Sequence, residues 1–358
     1  MPDDRLRMTP GPTEVPAAVR ERMSESTPNP DVEPEFFAFY RDLTSELEAI
    51  YGGDDIAILG GEGILGLEAA IASLVEPGDR VLCISNGLYG EGFADFVEMY
   101  DGEAVLCDAP WREPLDLDAI ESELEDGSFD VATMVHCETP TGVLNDIEPV
   151  LEVLEDHDVI SVVDAVSSLG GVPVPTETID VCLGASQKCF SAPPGLTVCS
   201  VSDRAWRKIE SFETESLYTD LEPWRDAADE EWFPYTHLSS NLYGLDTAID
   251  LLLEEGLGDV FERHEAAATR CRERAAELGL SVYPDDARSS PTVTALEVPG
   301  RATALQQTLA DEHDIVLATG LGDLEADVLR IGHMGHNARL ERVDRTMDAL
   351  EAVLSVRD

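Results

Sequence analysis

Between about residues 56 and 200 the chain alternates short, β-branched apolar runs with longer segments of helical periodicity, and few architectures accept that order of elements. Ile56-Ala-Ile-Leu59 precedes a glycine turn and a helical stretch over Leu65 to Leu74, and Arg80-Val-Leu-Cys-Ile84 precedes another over Gly92 to Tyr100. Val131 to Val135, Val159 to Val163 and Val181 to Leu183 continue the series. Such alternation argues for a mostly parallel α/β sheet with its sites at the carboxyl ends of the strands. Beyond Leu238 the texture changes: a long helical stretch from about Leu242 to Leu278 leads to strand-like runs over Thr292 to Leu296 and Val328 to Ile331, then a terminal helix over Leu340 to Leu354. We expect a large α/β domain over residues 14–245 and a smaller C-terminal α+β domain over 246–358, joined by the N-terminal segment 1–13. Met8-Thr-Pro-Gly-Pro-Thr13 is too rich in proline and glycine for a helix and should lie extended near the domain boundary.

Two residues stand at expected strand ends. Asp164 closes the most apolar strand, and Lys188 follows Val181-Cys-Leu183. Only two of the 23 basic residues are lysine, so arginine serves wherever simple charge suffices. A retained lysine suggests chemistry that guanidinium cannot perform, since an ammonium in a desolvated pocket can lose its proton and attack a carbonyl as a free amine. The expected product is a Schiff base; the bland alternative is a solvated residue at a strand end. A buried Asp164 needs a partner. The protonated ring nitrogen of a pyridoxal-type cofactor would be one, turning the ring into an electron sink. A cap on the turn into Ala165 to Gly171 is the simpler role.

The 74 acidic residues leave a formal net charge of −51 on a chain with 43% hydrophobic content, which describes a carboxylate-coated surface rather than disorder. Nucleic acid and anionic membranes are poor partners for it. Acidity combined with lysine depletion suggests a cytosol of high salt, a halophilic origin. Seven cysteines, odd in number and without a Cys-x-x-Cys pair, read as reduced cytoplasmic thiols. We expect no signal sequence, spanning segment or metal; His333-Met-Gly-His336 is the nearest approach to a metal pair.

The runs Thr9-Pro-Gly-Pro-Thr13, Glu138-Thr-Pro-Thr-Gly-Val143, Val163-Asp-Ala-Val-Ser-Ser-Leu-Gly-Gly171, Ser186-Gln-Lys-Cys189 with Pro193-Pro-Gly195, and Leu329-Arg-Ile-Gly332 together resemble the class V aminotransferases. The likeness covers essentially the whole chain and is strongest to the alanine–glyoxylate and serine–pyruvate branch. It implies the type I fold of enzymes that use pyridoxal 5'-phosphate. It further implies Lys188 as the Schiff-base lysine and proton shuttle, Asp164 on the pyridine nitrogen, Thr139 on the ring's 3-oxygen side and Gln187 beside the phosphate. Tyr89 matches the stacking aromatic, and Arg330 the arginine that binds the substrate carboxylate. Thr236 matches a hydroxyl given to the neighbouring subunit's phosphate cup, which implies a homodimer or a dimer-based tetramer. The implied substrates are an amino donor and a small 2-oxo acid.

One departure bears on the donor. The family's phosphate cup starts where the glycine turn enters a helix, with small or hydroxylated residues whose N–H groups meet the anion. Here the turn reads Gly60-Gly-Glu-Gly-Ile64, so Glu62 takes the first cup position, followed by Gly63 and by Ile64, which has no hydroxyl. Glu62, Phe233-Pro-Tyr-Thr236 and Arg330-Ile-Gly-His-Met-Gly335 resemble the pyridoxamine–pyruvate branch, which uses unphosphorylated pyridoxamine. Leu321 departs from that branch, standing where a second carboxylate-binding arginine is expected. A plain helix-start carboxylate facing solvent is the other reading of Glu62. Within the same fold the alternative activity is a lyase of the cysteine desulfurase or kynureninase kind, and outside it a binding protein that has kept the fold.

Overall fold

The computed structural model describes residues 5–52 and 55–355. Its centre is a seven-stranded sheet built from Asp55–Gly60 (β1), Arg80–Ser85 (β2), Glu103–Asp108 (β3), Val131–Val135 (β4), Ile160–Asp164 (β5), Val181–Ala185 (β6) and Leu196–Val201 (β7). The spatial order is β1-β7-β6-β5-β4-β2-β3. All neighbours run parallel except around β7, which is antiparallel to both β1 and β6. Strands β4, β5, β6 and β7 are buried at every position, because helices lie over the sheet and leave no face for polar alternation.

The helix Gly63–Leu74 that follows β1 sits very close to the sheet. A Cβ at Gly66 would come within 2.5 Å of Thr197 Cγ2 on β7, and one at Gly63 within 3.2 Å of Val166. Small residues on this face therefore set the depth at which the helix N-terminus enters the molecule.

Among the described residues two large hydrophobic cores divide the chain, with a small cluster of Cys137, Cys189, Val293 and Met334 besides. The first gathers the sheet and its helices, including the fully buried Trp206 and Trp224, and extends to Leu252 and Val260. The second collects Leu6 and Met8 with Ala267, Leu305, Leu329, Ile331, Met347 and Leu350. Its frame is an antiparallel sheet of Ser281–Val282, Val293–Glu297, Val328–Gly332 and Ala318–Thr319, in that spatial order. Leu6–Arg7 pairs in parallel with Ile315–Val316, which carries the N-terminal segment into the C-terminal unit.

The single helix expected over 242–278 is two helices, Ser239–Glu255 and Leu257–Glu277, broken at Gly256 with φ of 87°. Only glycine adopts that backbone without strain, so the break is encoded in one residue. Ala248, Ile249 and Leu252 of the earlier helix pack in the first core. The division at 245/246 falls inside that helix, and we propose Gly256 as the boundary instead. No helix among the described residues is long and apolar enough to cross a membrane.

Candidate active site

The carboxyl ends of β1, β5 and β6 and the turns after them enclose a cavity of about 260 Å³. Glu62, Gly63, Ile64, Tyr89, Thr139, Asp164, Gln187 and Lys188 all line it. Eight of the ten residues singled out from sequence thus meet around one space. Arg330 and Thr236 are not among its lining residues.

Lys188 follows β6 and is partly buried, with Nζ donating to Pro10 O at 2.8 Å. Burial pulls its ammonium below the ordinary lysine value, Asp164 pulls it back up, and Arg330 adds to the depression. The N-terminal segment holds this lysine closely. A Cβ on Gly11 would lie 2.5 Å from Lys188 Cδ, and Gly11 itself has φ of +96°, so both space and backbone demand glycine there. Thr13 completes the grip, its Oγ1 donating to Lys188 O at 3.1 Å and its N–H to Gln187 O at 3.0 Å. The extended reading of residues 8–13 missed their part in the site, although the motif carried the signal.

Asp164 ends β5 with its Oδ1 accepting from Val166 N–H at 2.8 Å, while Oδ2 takes no hydrogen bond from the described residues. Burial raises its carboxyl to about 6, against the Val166 bond and Lys188, which lower it. The turn-cap role and a free oxygen for a ligand therefore coexist in one side chain. Thr139 pairs its hydroxyl with that of Ser167 in the turn after Asp164.

Arg330, in Val328–Gly332, is buried, donating from Nε to Thr319 O at 2.6 Å and from Nη1 to Thr139 O at 3.3 Å. It forms no ion pair with a carboxylate among the described residues. In a chain with 74 acids the lack of a counter-ion is unusual, and burial without one depresses the proton affinity of the guanidinium. Its charge is felt by both Lys188 and Tyr89.

At the start of helix Gly63–Leu74, Glu62 Oε1 accepts from Ile64 N–H at 3.3 Å and Oε2 accepts from Gln187 Nε2 at 3.2 Å. Thr197 Oγ1 fixes the Glu62 carbonyl at 2.7 Å. Gln187 Oε1 is buried without a hydrogen-bond partner among the described residues. Glu62 is thus a cap, as its position suggests, and also reaches across to the lysine loop. Thr236 is exposed and donates to Asp31 Oδ2 at 3.0 Å, away from this chain's own cavity. Among the described residues no cysteine lines the cavity; Cys189, next to Lys188, is buried with its thiol pushed up to about 12, unlike the mobile nucleophile a desulfurase needs. His333 has both ring nitrogens engaged, with Thr294 Oγ1 at 2.7 Å and Pro291 O at 3.0 Å.

The family described as Aminotransferase class-V matches residues 69–340. The chain belongs to the class V aminotransferases. The pyridoxamine–pyruvate transaminase of Mesorhizobium japonicum is 34% identical to this aminotransferase over 86% of its chain and 81% of the relative. Among solved structures, the alanine–glyoxylate aminotransferase from Nostoc superposes with a TM-score of 0.94 at 30% identity, covering 99% of this chain and 96% of the other. The pyridoxamine–pyruvate aminotransferase from Mesorhizobium loti gives the same TM-score of 0.94 at 31% identity, over 98% and 92%. Fold likeness therefore does not separate the two branches, and the aminotransferase's donor has to be read from its side chains.

Proposed function

We propose that this aminotransferase moves an amino group onto a small 2-oxo acid, pyruvate or glyoxylate, and that its donor is unphosphorylated pyridoxamine. The observation that carries the donor is the placement of Glu62. Its carboxylate occupies the Ile64 N–H and the Gln187 amide, the two donors a phosphate would use, and Gln187 is left with an unpartnered acceptor. A hydroxymethyl O–H can donate to that acceptor or to Glu62, whereas a phosphate only accepts. At about 4 Å, each pair of like charges would cost about 4 kcal/mol at an effective dielectric near 20. The name and 34% identity of the Mesorhizobium japonicum relative support the same donor.

The remaining residues suit a pyridine ring. Asp164 would hold the proton on the ring nitrogen, since its Oδ2 has no partner among the described residues and its carboxyl, at about 6, is ionised at neutral pH. Tyr89 would cover the ring face and Thr139 its 3-oxygen side. The ring, when bound, supplies the electron sink for the pair released at the substrate carbon. Lys188, its proton affinity lowered by burial, would take a proton from the donor's amine-bearing carbon and deliver it to the oxo-acid carbon that receives the nitrogen. Arg330 receives the oxo acid's carboxylate as a planar bidentate donor. With Leu321 apolar, acid binding rests on Arg330. We further propose a cytoplasmic homodimer in which Thr236 faces the partner's site.

The test is turnover and content together. The purified protein should convert pyridoxamine and pyruvate to pyridoxal and alanine, and mass spectrometry of released small molecules should find no phosphate ester. Tightly held pyridoxal 5'-phosphate with indifference to pyridoxamine would assign the donor to an amino acid instead. Glu62→Ser should reverse the preference, weakening pyridoxamine and strengthening the phosphorylated form.

A further inference from the structure

Glu138 has no exposure to solvent, yet no arginine or lysine among the described residues pairs with it. A carboxylate in that position is costly unless its oxygens are fully engaged. Each takes one bond, Oε1 from Gly90 N–H at 2.8 Å and Oε2 from Tyr89 N–H at 3.3 Å, and these pull down a carboxyl that burial still holds up at about 7. These are N–H groups at the start of helix Leu88–Met99, where the helix itself offers no partner and its dipole favours an anion. The local cap position is Gly87, which has no side chain to serve. Its glycine is explained by the same contact, since a Cβ there would lie 2.4 Å from Glu138 Cδ, while its φ of −178° is open to any residue.

An ordinary helix cap comes from the residue beside the helix. This one comes from 49 positions away, next to Thr139, which lines the cavity and whose carbonyl accepts from Arg330. The same two residues thus hold Tyr89 on one side and meet the substrate-acid arginine on the other. We infer that Glu138 is a positioning residue for the reaction, fixing Tyr89 against the bound ring by gripping the start of its helix. The inference rests on reading Tyr89 as the residue that covers the ring.

The test measures binding of pyridoxamine and of pyridoxal 5'-phosphate to the full-length protein, with the Michaelis constant for pyruvate taken alongside. Glu138→Gln keeps the shape but turns one acceptor into a donor facing an N–H. It should weaken the better-bound vitamer at least tenfold and move the pyruvate constant less than threefold. In a Tyr89→Ala background the same change should add less than twofold, because its effect runs through Tyr89. A full effect surviving in that background, or unchanged vitamer binding in folded Glu138→Gln, overturns the inference. Should Glu138→Gln fail to fold, Gly87→Ala, which pushes the carboxylate from its seat, must reproduce the vitamer loss, and normal binding there overturns it too. Normal vitamer binding by Tyr89→Ala alone would instead refute the stacking role of Tyr89.

Discussion

Asp164→Asn should make the ligand-free protein more stable while removing its activity. Burial raises the Asp164 carboxyl from 3.8 to about 6. A carboxyl with a raised folded-state value binds its proton more tightly when folded, so stability falls as pH rises from about 4 through about 6 and stays low above. Roughly two units at 1.36 kcal/mol each gives a penalty of about 3 kcal/mol at pH 7.5, and about half of that at pH 5. Asparagine carries no such penalty, and its amide oxygen can still accept from Val166 N–H. Urea unfolding followed by the fluorescence of Trp206 and Trp224, both in the first core, should show Asp164→Asn more stable by about 3 kcal/mol at pH 7.5, with the gain shrinking toward pH 4. Transamination should be lost, because a neutral amide cannot hold the ring-nitrogen proton. A variant no more stable than wild type, or a gain independent of pH, would refute the argument that the buried charge is maintained for ligand binding at the expense of stability.

Borohydride reduction of the protein with bound pyridoxal should attach the ring to Lys188 and not to Lys208, which is held by Asp79 at 2.7 Å and Glu76 at 3.4 Å; peptide mapping decides. Lys188→Arg should be as inactive as Lys188→Ala, since guanidinium cannot be the free amine. Arg330→Ala should raise the Michaelis constant for the oxo acid about 100-fold, the equivalent of ~3 kcal/mol for a charged hydrogen-bonded pair, and an unchanged constant would place the carboxylate elsewhere. With a net charge of −51, thermal stability should climb steeply with added potassium chloride, and a flat salt response would argue against a halophilic origin.

The parallel sheet was readable because its strands are continuous apolar runs, as at Val131–Val135 and Val181–Ala185. Glu103–Asp108 is harder to see: it is an edge strand with an acidic residue at each end, and none of its positions is fully buried. Leu196–Val201 is as apolar as its neighbours, but nothing local marks it as the strand that runs the other way. Lys188, Asp164 and Glu62 were legible because each departs from what its surroundings would favour. Glu138 was not. Its significance depends on contact with residues 48 and 49 positions earlier, and a motif shows only that it is present. The role of Gly11 was hidden for the same reason, since its neighbour Lys188 is 177 residues further along the chain.

The N-terminal segment has a consequence for how the molecule is made. Leu6 and Arg7 pair with Ile315 and Val316, Arg7 O accepts from Asn337 at 2.7 Å, and Met8 is buried in the second core. Residues 6 to 8 must therefore wait for residues 315, 316 and 337, made much later, before they can be seated. Until then Pro10 and Gly11 cannot hold the lysine loop, so the sheet can form during synthesis but the Lys188 amine is fixed only after residue 337 has emerged. Any bulk fused ahead of Leu6 would have to be carried through that late step.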